Sequence, residues 1–84
     1  MIEVTNINGS IISFDGRIIE VFLNKDSRRF HVKQIISIDI KQSRRGYLEI
    51  HGRVKLTFFM LHKIDPDQKE VVEEFVAQVK AAMV

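Results

Sequence analysis

Short runs in which apolar and polar residues alternate fill most of this 84-residue chain, and they predict about six β-strands followed by one C-terminal helix. In Arg17–Leu23, for example, Ile19 and Val21 fall on one face, because successive side chains of a strand point to opposite sides. The residues predicted in this way to face the core are Ile19, Val21, Leu23, Phe30, Val32, Ile36, Ile38, Ile40, Leu48, Ile50, Val54, Leu56, Phe58 and Met60.

Two hairpins follow from the residues between these runs. Asp15 and Gly16 predict a two-residue turn between Ser10–Phe14 and Arg17–Leu23, because Asp-Gly suits the positive φ angles of a type I′ turn. Gly52 and Arg53 predict the turn of a second hairpin. Met1–Asn6 supplies a seventh strand if it pairs as an edge strand.

The C-terminal segment predicts an amphipathic helix over about residues 66–83. Asp65 is a capping residue, Pro66 suits the first helical position, and Gln68 completes the pattern of a capping box. The apolar residues that recur at helical spacing are Val71, Val72, Phe75, Val76, Val79 and Met83. One face of this helix is therefore expected to cover the sheet.

Composition indicates a single folded domain over residues 1–84. The chain has no cysteine, which excludes a disulfide framework and leaves the cytoplasm as the expected compartment. Its longest apolar run, Phe58–Leu61, is too short for a membrane span or a secretion signal. Charge is divided, because residues 1–63 carry an excess of cations and residues 64–84 an excess of carboxylates.

Three phrases of the sequence resemble small bacterial domains of unknown function that have the pleckstrin-homology-like (PH-like) fold. They are Asn8–Arg17, Ile35–Ile40 and Arg45–Ile50, which resemble the family phrases "nGxixfdg", "I.sI.i" and "GyleI". The similarity extends over about Ile7–Val79. It implies an α+β, mostly β fold, in which curved antiparallel sheets or a barrel of six to seven strands are capped by one C-terminal helix.

The resemblance implies a noncatalytic protein-interaction or oligomerisation module, since relatives of this fold bind phosphoinositides, peptides or protein domains, and some bacterial versions form rings. Lipid-binding members carry a basic signature around their first long hairpin loop. Here only Arg17 lies near the Asp15-Gly16 turn, so that signature is missing. The expected partner is a protein, either a second copy or another domain.

Basic residues suggest an alternative to the protein-interaction function. Arg28, Arg29 and Lys33 lie on or next to one predicted strand, and Arg44 and Arg45 lie in a later loop. Arginine suits two-point contact with phosphate or carboxylate. If these five residues converge, they predict peripheral binding to an anionic membrane surface or nucleic acid, whereas the same charges on edge strands also discourage unwanted pairing.

Apolar residues on faces predicted to point outward suggest a partner surface if they cluster. These residues are Ile18, Phe22, Tyr47, Phe59 and Leu61. A one-residue error in register would instead place some of them in the core. The two alternatives make opposite predictions about their burial.

The sequence contains no pattern that indicates an enzyme. The serines have no neighbouring histidine base, and the glycines form no phosphate-binding run. His31, His51 and His62 lack metal-binding spacing, although they could meet in space. Asp65 and Asp67 are explained by the free N–H groups and dipole of a helix start. We therefore expect neither catalysis nor a cofactor.

Overall fold

Seven strands and one α-helix make up the protein, and the computed structural model describes all residues from 1 to 84. The strands are β1 (Ile2–Thr5), β2 (Ile11–Phe14), β3 (Ile18–Leu23), β4 (Asp26–His31), β5 (Ile35–Gln42), β6 (Leu48–Val54) and β7 (Phe58–Ile64). Helix α1 spans Lys69–Met83. Short 3-10 helices, Val32–Gln34 and Pro66–Gln68, precede β5 and α1.

The strands form two antiparallel sheets of consecutive strands. The four-stranded sheet has the order β1-β2-β3-β4, and the three-stranded sheet has the order β5-β6-β7. The predicted mostly β, α+β class and the seventh strand are therefore confirmed. The strand pairing does not join the two sheets into one closed barrel.

Apolar side chains from both sheets and the helix form one continuous core. Phe30 of β4 stacks on Phe59 of β7 with ring centroids 5.2 Å apart, which joins the two sheets. Phe75 of α1 packs edge-to-face against Phe14 of β2, with centroids 6.4 Å apart. The predicted apolar face of the helix is confirmed, because Val72, Phe75, Val76 and Val79 are buried and Val71 and Met83 are half-buried.

The start of the helix differs in one detail from the prediction. Asp65 accepts a hydrogen bond from the backbone N–H of Asp67, as expected of a capping residue. The Gln68 side chain, however, donates to the carbonyl of Thr5 at 2.7 Å. It therefore ties the helix start to β1, and it does not complete a capping box.

The first predicted hairpin forms, but its turn lies one residue later. Phe14 pairs with Ile19, which makes Gly16 and Arg17 the central residues of the turn. Gly16 has φ +102°, a positive value that glycine adopts without the steric cost of a Cβ atom. The Asp15 carboxylate accepts hydrogen bonds from the backbone N–H groups of Arg17 and Ile18.

The turn of the second hairpin lies further from its predicted position. Gly52 and Arg53 lie inside β6, and residues 55–57 form the turn. Gly52 faces the core opposite Phe59, and a Cβ at this position would collide with the Phe59 ring. The assignment of Leu56, Phe58 and Met60 to the core face is therefore wrong, and Phe59 and Leu61 occupy that face.

A bulge in β5 accounts for another error in the predicted faces. The pairing with β6 shifts between Ile35 and Ser37, so Ile35 is buried while Ile36 is exposed. Ile38 is buried as predicted, and Ile40 and Leu23 remain exposed near their strand ends. One inserted residue thus moves Ile36 from the predicted core to the surface.

Candidate interaction surfaces

Apart from the chain ends and Ile7, the most exposed large apolar side chains lie in the β6–β7 turn, at the start of β7 and near the start of β5. Leu56 is 93% exposed, Ile36 is 59% exposed and Phe58 is 58% exposed. Leu56 and Ile36 line one open groove with the half-buried Phe30. Leu56 also lines another groove with Phe58, on the outer face of the three-stranded sheet, so Leu56 links Ile36 on one side to Phe58 on the other. We call Ile36, Leu56 and Phe58 the turn surface. Such a cluster is typical of a contact site, whereas single exposed apolar residues are not.

The turn surface is held in place by Arg28 of β4. Its guanidinium donates to the carbonyl of Phe58 at 3.0 Å and to Thr57 Oγ1 at 3.3 Å. The guanidinium carbon also lies 5.1 Å from the centroid of the Phe30 ring. Arg28, predicted as an anion-binding residue, is thus engaged in contacts that join the four-stranded sheet to β7.

Cations surround the apolar groove beside the turn surface. Its charged lining residues are Arg29, Lys33 and Lys55, and no carboxylate lines it. Arg29 lies 3.7 Å from Glu20 and is largely exposed, while Lys33 and Lys55 form no ion pair. The groove therefore combines apolar contact area with a positive rim.

Arg44 and Arg45 lie elsewhere, in a cleft between the β5–β6 loop and the end of β7. This cleft also contains Tyr47, Glu49, His62 and Lys63. Arg28 contacts the first residue of β7, which is about 13 Å along the strand from His62. No single cleft thus contains all five predicted basic residues, and binding by either group of them stays a prediction.

A polar network that sequence spacing does not reveal joins two residues of this second cleft, Glu49 and His62, to His51. Glu49 Oε1 lies 2.8 Å from His51 Nε2, and Glu49 Oε2 lies 3.6 Å from His62 Nδ1. Hydrogen bonding to the His51 ring, with a smaller effect of His62, holds the pKa of Glu49 below its usual value despite partial burial. The structure has no group of three or more His, Cys, Asp or Glu residues arranged to hold a metal ion.

The predicted outward apolar residues do not form one surface. Phe59 and Leu61 are buried in the core, so their assignment to an interface is wrong, for the register reason given above. Ile18 is half-buried and Phe22 is 40% exposed, both on the outer side of β3, while Tyr47 lies in the second cleft. Continued alternation through Leu48, Ile50, Gly52 and Val54 was the signal that could have located the turn surface.

Comparison with protein-family models, curated proteins and solved structures finds no match to this chain. No helix of the structure has the length and apolar character needed to cross a membrane. The surfaces described above are therefore the basis for any functional proposal.

Proposed function

We propose that this protein is a noncatalytic protein-interaction module of PH-like type that associates with a second copy of itself. The succession of seven antiparallel strands and one C-terminal helix supports the PH-like assignment, because the sequence resemblance implies the same order. Function in such a fold resides in surface sites and must be argued from them.

The turn surface is the observation that carries the proposal. Leu56 projects almost completely into solvent from a turn whose position is fixed by the two hydrogen bonds of Arg28. Exposed leucine and phenylalanine side chains gain free energy when a partner removes them from water, by about 25 cal/mol for each Å² of apolar area. A preformed turn also loses little conformational freedom on binding.

The positive groove and the acidic face of α1 have complementary charges, so a second copy of the chain is a suitable partner for the groove. The groove beside the turn surface has a positive rim without carboxylates. On α1, Glu70, Glu73 and Glu74 are exposed and form no ion pair within the chain. The acidic face of one copy therefore complements the groove of another, in a head-to-tail contact that generates rings or open chains.

Solution mass measured by light scattering over a range of protein concentrations tests this proposal. We expect the mass to rise above that of a monomer with concentration. Leu56→Ser and Phe58→Ser should each weaken the association, because they remove apolar contact area. Ile7→Ser is the matched control, since Ile7 is 51% exposed but lies outside the turn surface.

Two results would contradict self-association through this surface: a monomeric mass at every concentration, or equal weakening by the control. Vesicles that contain anionic lipid provide the comparison with the alternative function, since Lys33 and Lys55 could also contact lipid headgroups. Binding to such vesicles by a monomeric protein, lost in Leu56→Ser, would favour the membrane function over self-association.

A further inference from the structure

The cleft that contains Arg44 and Arg45 is independent of the turn surface and lies near the opposite end of β7. It has a volume of about 320 Å³. Arg44, Arg45 and Lys63 contribute three cations, and none of them forms an ion pair within the chain. The cleft therefore holds positive charge that no protein group neutralises directly.

The carboxylate in the cleft does not cancel this charge. Glu49 is the only acid among the lining residues, and both of its oxygens are directed to imidazole nitrogens of His51 and His62. Three cations against one carboxylate leave a net positive site. An anion that enters the cleft thus meets the arginine and lysine side chains without displacing an existing salt bridge.

A buried hydroxyl provides a second, independent observation. Ser43 lines the same cleft, and its Oγ atom is buried without a hydrogen-bond partner. It is the one buried side-chain polar atom of the chain that has none. Because the Oγ atom has almost no accessible surface, a ligand oxygen can accept from it only after neighbouring side chains of the cleft move aside. Such a contact would remove the penalty of an unsatisfied buried polar group.

The backbone of Lys63 is a third observation. Lys63 has φ +52°, a conformation that few residues other than glycine adopt, where the pairing of β6 and β7 is irregular. This bulge places the lysine in the cleft beside the β5–β6 loop. Unfavourable backbone conformations of this kind persist when the surrounding structure imposes them, and they are concentrated at binding sites.

We propose that this cleft binds a phosphoryl group. Arginine forms two parallel hydrogen bonds to phosphate oxygens, lysine adds a point charge, and the Ser43 hydroxyl is a further donor. A phosphomonoester carries close to two negative charges at neutral pH and has three acceptor oxygens, so it matches three cations and a hydroxyl better than a carboxylate does.

Titration with inorganic pyrophosphate at constant ionic strength, followed by the amide NMR spectrum, tests the proposal. We expect saturable shifts confined to residues 43–47 and 62–63. The double variant Arg44→Ala/Arg45→Ala should weaken binding by roughly tenfold or more, because hydrogen bonds to charged groups are lost. Arg17→Ala/Lys25→Ala is the matched control, since it removes the same charge from two distant turns.

Ser43→Ala separates binding from folding. It should weaken pyrophosphate binding while leaving the urea midpoint unchanged or raised, because the hydroxyl has no partner in the free protein. Binding that is unchanged in this variant would overturn the assignment of the hydroxyl as a ligand donor.

Vesicles distinguish the two sources of a phosphoryl group. Binding to phosphatidate vesicles, but not to phosphatidylglycerol vesicles, and its loss in Arg44→Ala/Arg45→Ala, would identify a lipid phosphomonoester. Pyrophosphate binding without vesicle binding would identify a soluble phosphate compound. The proposal is overturned if millimolar pyrophosphate causes no saturable shift, or if the control weakens binding as much as the arginine variant.

Discussion

The turns of the β2–β3 and β6–β7 hairpins differ in the side chain that stabilises them and in the residues that they present to solvent. Asp15 stabilises the β2–β3 turn from within, because its carboxylate accepts two backbone hydrogen bonds of the same turn. The β6–β7 turn is stabilised from outside by Arg28, and it presents Leu56 to solvent. A backbone hydrogen bond also reaches each turn, from Val32 N–H to the Arg17 carbonyl and from Val54 N–H to the Thr57 carbonyl. The side chain that supports the first turn therefore comes from the turn itself, whereas the one that supports the second comes from the other sheet.

Removing a large side chain from the core to which both hairpins contribute should have the largest effect. Phe75 is completely buried and packs on Phe14, directly before the β2–β3 turn. Phe75→Ala should lower the free energy of unfolding by about 3–5 kcal/mol, measured by urea denaturation. Lys80→Ala, on the exposed face of the same helix, should change it by less than about 0.5 kcal/mol. A loss below about 1 kcal/mol for Phe75→Ala would contradict the docking of α1.

Overpacking should disturb the β6–β7 hairpin and the contact of Phe59 with Phe30 of β4. Gly52→Ala places a methyl group against the Phe59 ring, and the collision should lower the free energy of unfolding by about 1–3 kcal/mol. Arg53→Ala changes the next residue of β6 on its exposed side and serves as the control. Equal stability of Gly52→Ala and the natural protein in urea denaturation would show that Phe59 does not face this glycine.

These two positions also show what the sequence could and could not predict. The helix can be predicted from residues close together in the sequence. Asp65 and Pro66 identify its start, and the spacing of Phe75 and Val79 identifies its buried face. The sequence predicts a turn at Gly52, whereas in the structure this glycine leaves room for a ring on the neighbouring strand. Alternation through Leu48, Ile50, Gly52 and Val54 indicates that Gly52 lies inside a strand, but the reason for a glycine there is the Phe59 ring, which no pattern within β6 alone expresses.

Errors of one residue in register explain most of the remaining differences. The shifted turn exchanged Phe58 and Phe59 between surface and core, and the β5 bulge did the same to Ile36. Because side chains alternate along a strand, a slip of one residue exchanges the two faces on one side of the irregularity, as it does for Ile36 but not for Ile38 in β5. These errors affect the prediction of the candidate sites more than that of the fold, because the turn surface consists of residues that the sequence pattern assigns to the core.

Loss of Arg28 should loosen the β6–β7 turn without affecting the β2–β3 turn. Arg28→Ala removes two hydrogen bonds and the contact with Phe30, and should lower the free energy of unfolding by about 1 kcal/mol. Amide hydrogen exchange should become faster in residues 55–58 and remain unchanged in residues 15–18. Arg29→Ala is the matched control, because its single exposed ion pair contributes little. Faster exchange in both turns would contradict a local role for Arg28.

Acid should weaken the β2–β3 turn through Asp15, with a smaller effect than the variants above. Backbone hydrogen bonds from Ile18 and then Arg17 hold the pKa of Asp15 below its ordinary value of 3.8. Its contribution is therefore complete above about pH 3.8 and is lost as pH falls through the lower folded-state pKa. Asp15→Asn should lower the urea midpoint more at pH 7 than in strong acid. Asp26→Asn, whose carboxylate accepts no hydrogen bond, is the control; an equal loss at both pH values would show that the ionised form of Asp15 does not stabilise this turn.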